Sequence, residues 1–122
     1  MANMGTFTVP LDVGDPARQR FRSFEALVDT GSTHSLLPGS VLRNLGVEPD
    51  EQRPFTIATG TRIMRDIGQT WVTLEGRTRM TIVVFGDEGA RPLIGAVTLE
   101  EFGLGVDPVS RKLIPVPGLL MT

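Results

Sequence analysis

Residues Ala26-Leu27-Val28-Asp29-Thr30-Gly31-Ser32 place a carboxylate directly behind an apolar run and follow it with two hydroxyl residues flanking a glycine. A carboxylate delivered beside Leu27 and Val28 needs hydrogen-bond donors or a shared proton, because burying it unpaired costs several kcal/mol. Thr30 offers a hydroxyl, and Gly31 lets backbone N–H groups approach closely. A positioned carboxylate of this kind can act as a general acid or base. The same three residues also suit a plain strand-ending turn, with Asp29 as an Asx-type turn residue. A second segment, Pro92-Leu93-Ile94-Gly95, reads by itself as core packing and gains interest only in combination with Asp29.

Composition removes the competing chemistries. The 122 residues contain no cysteine and one histidine, His34. Thiol nucleophiles, disulfide scaffolds and Cys- or His-rich metal sites are excluded. His34 itself reads as a loop or surface residue. The net charge of −2 comes with no basic cluster, which argues against binding nucleic acid by phosphate neutralisation. No apolar run approaches the ~18 residues of a membrane span. Met1 to Thr8 lacks the basic-then-apolar pattern of a leader, so a cytoplasmic location is expected.

The elements that must carry Asp29 read mostly as strands. The 14 glycines and 9 prolines exceed the usual share of roughly 12%, which favours turns over long helices. Phe7, Val9 and Leu11 alternate with polar or small residues, with Pro10 marking an edge position or a strand end. Gly14-Asp15-Pro16 reads as a turn, and Phe21 to Val28 as a strand passing from exposed to buried. A short helix is expected after Pro38, with Val41, Leu42 and Leu45 inward and Gly46 closing it. Glu48 to Pro54 reads as a polar connection. Phe55 to Leu74 reads as two strands around a Thr59-Gly60-Thr61 tip, followed by a strand from Arg77 to Phe85 and a turn at Gly86 to Gly89. Pro92 to Gly95 is a short buried strand, Ala96 to Phe102 a short helix closed by Gly103, and Leu104 to Val116 a hairpin turning at Pro108 to Arg111. The sum is one mostly β domain over residues 1–122 with one or two short helices.

Leu27-Val28-Asp29-Thr30-Gly31-Ser32, then Leu93-Ile94-Gly95 some 60 residues later and a helix after it, resemble the retropepsin-type aspartic proteases, the single-domain cellular and bacterial relatives of the retroviral enzymes. The resemblance covers roughly residues 5 to 117. It implies a closed β-barrel of the acid-protease fold, one lobe per chain. It implies an aspartic endopeptidase in which Asp29 is the catalytic aspartate, with no cofactor and no metal. Thr30 matches the residue that bonds across the dimer axis, Gly31 the glycine that borders the substrate, and Ser32 a position that can bond the outer carboxylate oxygen. Ile57, Ala58, Thr59 and Gly60 align loosely with the flap over the substrate. Val28, Ile57 and Ile94 are expected to line the cleft, which would take a peptide or protein substrate.

The mechanism implied by the resemblance needs two carboxylates sharing one proton around a water. The chain has one Asp-Thr-Gly. Asp12, Asp15, Asp50, Asp66, Asp87 and Asp107 are followed by Val, Pro, Glu, Ile, Glu and Pro. The second carboxylate must then be the Asp29 of another copy, so a homodimer is expected, with the terminal segments as interface strands. Two departures from the retroviral pattern accompany this. Gly95 is followed by Ala96-Val97 rather than by an ion-pairing Arg, and the flap hairpin holds Gly60 as its one glycine. A binding or assembly module on the same fold, weakly or not at all catalytic, is the alternative. An unrelated small barrel with Asp29 capping a turn is the third.

Overall fold

The computed structural model describes residues 7–122. Alternation sets its first two strands. In β1 (Phe7–Gly14), Val9, Leu11 and Val13 turn inward, while Thr8 and Pro10 face solvent. The strand β2 (Phe21–Val28) pairs antiparallel with β1 from Phe7 opposite Val28 to Gly14 opposite Phe21, and buries Ala26 and Val28. The strand β1 runs through Pro10 instead of ending there. Only Asp12 and Val13 of β1 pair with a second strand, so Pro10 sits where no ladder bond is asked of its nitrogen.

Behind Asp29 the chain forms β3 (Ser35–Pro38) and then α1 (Gly39–Asn44). Pro38 takes the N-cap position of α1, and Gly46 follows its end with φ of 85°. The next strand, β4 (Glu51–Thr56), pairs with β5 (Arg62–Leu74), which pairs with β6 (Arg77–Gly86). The expected Glu48–Pro54 connection is therefore strand from Glu51 onward. β4 lies at the sheet edge with four of its six residues exposed, so it carries little apolar periodicity to read. β3 carries no strand signal of its own in the sequence. Its four residues become a strand through tertiary pairing, parallel to β6 from Ser35–Val83 to Pro38–Gly86.

The chain closes with β7 (Leu93–Ile94), α2 (Ala96–Glu101) and a separate hairpin of β8 (Leu104–Asp107) and β9 (Lys112–Pro115). Asp107, the last residue of β8, caps the turn that follows, accepting from the Val109 and Ser110 N–H groups and from the Ser110 hydroxyl. The Ser110 hydroxyl, then these backbone donors, lower its pKa below 3.8.

The main sheet runs β1-β2-β7-β3-β6-β5-β4, and β1 returns to pair with β5 at Asp12–Thr73 and Val13–Val72. The sheet thus curls back on itself around Leu11, Val13, Leu37, Val72, Val83 and Ile94, each at most 1% exposed. Phe102 and Leu42 extend this core toward the two helices. Among the described residues, no helix is long and apolar enough to cross a membrane. The expected N-terminal interface strand and the Met1–Thr8 segment read for a leader fall partly on residues 1–6, outside the described residues. At the other end, Leu119, Leu120 and Met121 are exposed.

Leu37, in β3, is fully buried in the hydrophobic core. Leu37→Ala is expected to cost about 2–5 kcal/mol of unfolding free energy by urea titration, in the range for a cavity left in a packed core.

Candidate active site

The short strand β7 fixes Asp29. It lies parallel to β2, with Leu27 opposite Leu93 and Val28 opposite Ile94, and antiparallel to β3 at Leu36–Leu93. The Leu27 N–H donates to the Pro92 carbonyl at 2.9 Å and the Asp29 N–H to the Ile94 carbonyl at 3.0 Å. The loop after Asp29 is then tied to the start of α2. The Ala96 N–H donates to the Ser32 carbonyl at 2.8 Å and the Val97 N–H to the Thr33 carbonyl at 2.9 Å. These bonds draw two backbones so close that only a glycine fits. A Cβ on Gly95 would lie 2.5 Å from the His34 carbonyl and 2.9 Å from that of Ser32. Gly95 has φ of −97°, so space and not conformation demands glycine here.

The Asp29 carboxylate is half-buried and accepts the Gly31 N–H at Oδ1, 2.9 Å away. That bond is the Asx-type turn that the sequence also allows. The turn and the aspartate's exposure to the cleft coexist, because only one carboxylate oxygen is engaged. Among the described residues the Ser32 hydroxyl makes no hydrogen bond to this carboxylate.

A cleft of about 940 Å³ opens in front of Asp29. Gly31 to His34 form one wall and the β4–β5 hairpin another. The Gly86–Ala90 loop forms a third, with Leu36, Val84 and Leu93 between them. Of the expected flap residues, Ile57 and Ala58 line the cleft; Thr59 and Gly60, at the hairpin tip, do not. The tip is closed by the Ile57 N–H to the Thr61 carbonyl and the Gly60 N–H to the Ile57 carbonyl, with Gly60 at φ of 87°. Gly31 and Ser32 line the cleft, whereas Thr30 is exposed outside it. Val28 and Ile94 do not line it, because both point into the core at 1% and 0% exposure. The adjacent Leu93 takes that place, as alternation along β7 requires.

Sequence reasoning missed two contributors. The Gly86–Gly89 turn, extended to Ala90, is a cleft wall held by Arg65–Asp87 at 3.0 Å and Ser40–Glu88 at 3.3 Å. His34 lies in the loop after Asp29, as expected, and not on the surface. It lines the cleft half-buried, meets the Phe55 ring edge-on at 6.4 Å, and leaves its Nδ1 buried without a partner. Desolvation, and then the Arg53 charge, push its pKa below 6.5 against an opposing pull from Glu101. No cluster of three or more His, Asp or Glu side chains able to hold a metal ion gathers among the described residues.

An apolar strand ending in Asp-Thr-Gly, locked by a second apolar strand ending in glycine and facing a hairpin-covered cleft, defines a retropepsin-like lobe of the aspartic protease fold. The chain belongs to the aspartyl protease family, whose model matches residues 9–99. Solved structures agree on the fold. The simian foamy virus (mac) protease superposes with a TM-score of 0.53 at 16% identity, covering 77% of this chain and 94% of its own. The EIAV protease complexed with the inhibitor HBY-793 gives 0.54 at 16% identity over 84% and 94%. A retropepsin-like aspartic protease from Rickettsia conorii gives 0.50 at 15% identity over 88% and 91%. No curated protein matches the chain in sequence.

Two outcomes follow from this geometry. Gly95→Ala is expected to cost about 1–3 kcal/mol in urea unfolding, as overpacking does, and to move the Asp29 amide resonance. For His34, the unfolded chain takes up a proton at a higher pH than the folded chain does. Stability therefore falls as pH drops from about 6.5 through the lower folded value. The urea midpoint should decline between pH 7 and 5, and His34→Gln should flatten that decline. Asp15 and Asp107, lowered from 3.8, lose their contribution only at more acid pH.

Proposed function

We propose that the protein is an aspartic endopeptidase that works as a homodimer, with one Asp29 from each subunit. The observation that carries this reading is the placement of Asp29. Its backbone is pinned to β7, one carboxylate oxygen is engaged by the Gly31 N–H, and the side chain lines the cleft. A single lobe supplies one such carboxylate, and the reaction needs two.

Across a two-fold axis the paired carboxylates share one proton, since two close carboxylates cannot both ionise. The ionised member takes a proton from a water as that water attacks the scissile carbonyl carbon. The protonated member donates to the carbonyl oxygen. The resulting gem-diol collapses when a proton reaches the amide nitrogen, breaking the C–N bond and releasing a carboxylic acid and an amine. An extended peptide would lie in the cleft, with apolar side chains against Leu36, Val84 and Leu93 and the Ile57–Ala58 segment above it. Thr30, exposed at the loop, is the residue proposed to bond across the axis. One domain over residues 1–122, a cytoplasmic location and independence of cofactors are part of the same proposal.

A binding or assembly module on the same fold is the second reading. Ala96-Val97 after Gly95 favours it, because the ion-pairing Arg of the retroviral pattern is absent there.

Incubation with a mixed peptide library from acid to neutral pH is the test. Cleavage between apolar residues is expected, and it should vanish in Asp29→Asn and with a statine-type inhibitor. Cleavage that survives either treatment rejects the assignment. Sedimentation should give a dimer at micromolar concentration. A folded strict monomer without cleavage selects the second reading.

A further inference from the structure

Behind the Asp29 loop lies a row of buried hydroxyls that the reaction above does not use. Ser35, Thr81 and Thr98 are each no more than 2% exposed. The Gly95 N–H donates to Ser35 Oγ at 3.1 Å. Ser35 Oγ and Thr98 Oγ1 are 2.6 Å apart, and Thr98 Oγ1 and Thr81 Oγ1 2.8 Å. Thr81 Oγ1 donates to Glu101 Oε1 at 2.6 Å.

The two ends decide the direction of every bond between them. A carboxylate only accepts, so the Thr81 proton points to Glu101. Thr81 must then accept from Thr98, and Thr98 from Ser35, whose oxygen already accepts from Gly95. All three hydroxyl protons point toward Glu101. The Gly95 N–H belongs to the same peptide group as the Ile94 carbonyl, and that carbonyl accepts the Asp29 N–H at 3.0 Å. Hydrogen bonds aligned head to tail in a water-poor interior polarise one another.

We propose that Glu101 is a positioning residue for Asp29. Through Thr81, Thr98 and Ser35 it orients and polarises the Ile94–Gly95 peptide that holds the Asp29 backbone. Glu101 is exposed on α2, so a surface carboxylate anchors the loop from behind. The catalytic meaning of this rests on the proposed peptidase reading; the anchoring does not.

Amide hydrogen exchange on the full-length protein tests it by NMR. The Leu45 and Val47 amides, bonded to carbonyls of α1 and away from the relay, serve as internal controls. Thr98→Val removes the middle hydroxyl at nearly constant shape. It should speed exchange at Asp29 and Gly95 at least tenfold more than at Leu45 and Val47, and Thr98→Ser should restore protection. Glu101→Leu, at the exposed end, should speed the Asp29 and Gly95 amides several-fold and serves alone if Thr98→Val does not fold. Glu101→Gln keeps an accepting oxygen and should retain protection. Uniform acceleration at all four amides, or none in the Thr98→Val and Glu101→Leu variants, overturns the proposal. In a cleaving enzyme Thr98→Val should lower kcat with KM unchanged. If the wild type does not cleave, the peptidase reading fails while the exchange result still decides the anchoring.

Discussion

The Ile94–Gly95 peptide group is gripped from both sides, and the geometry of the site follows from that grip. Its carbonyl receives the Asp29 N–H and its N–H goes to the Ser35 hydroxyl. The space around it is so tight that a single methyl at Gly95 would strike the His34 carbonyl. A loop that follows a strand normally has freedom to move. Here it is stitched to β7 and to the first turn of α2, so the aspartate is presented by backbone bonds on rigid elements, as a preorganised site requires.

On the proposed reading, a lobe built this way is half of an active site. One cleft wall, one hairpin and one carboxylate come from a chain with a single Asp-Thr-Gly. The proposal completes it by two-fold symmetry, because an isologous pairing would duplicate the aspartate with no further sequence. The cleft's own character is mixed. Leu36, Val84 and Leu93 give it an apolar interior, while His34 and the Arg65–Asp87 pair bring polar groups to its walls.

Much of this was legible in the residues. The alternation of β1, the strand leading to Asp29 and the glycine closures of both helices appear where side-chain period and turn chemistry put them. The failures share a cause. β3 has four residues and becomes a strand only through its partners β6 and β7. β4 is an exposed edge strand whose polar sequence hides it. Ile94 was expected in the cleft and lies in the core, because a two-residue strand gives no alternation from which to tell its two faces apart.

The sequence by itself determined the chemistry on offer: one Asp-Thr-Gly behind an apolar strand, a distant apolar-apolar-glycine partner, and no thiol. Those are properties of residue type and spacing, which need no third dimension. Only the tertiary structure decided which side chains face the cleft, why Gly95 tolerates no side chain, and that Ser35, Thr81, Thr98 and Glu101 join in one directed chain. Contacts between residues some 60 positions apart depend on strand order and register, and no local pattern encodes either.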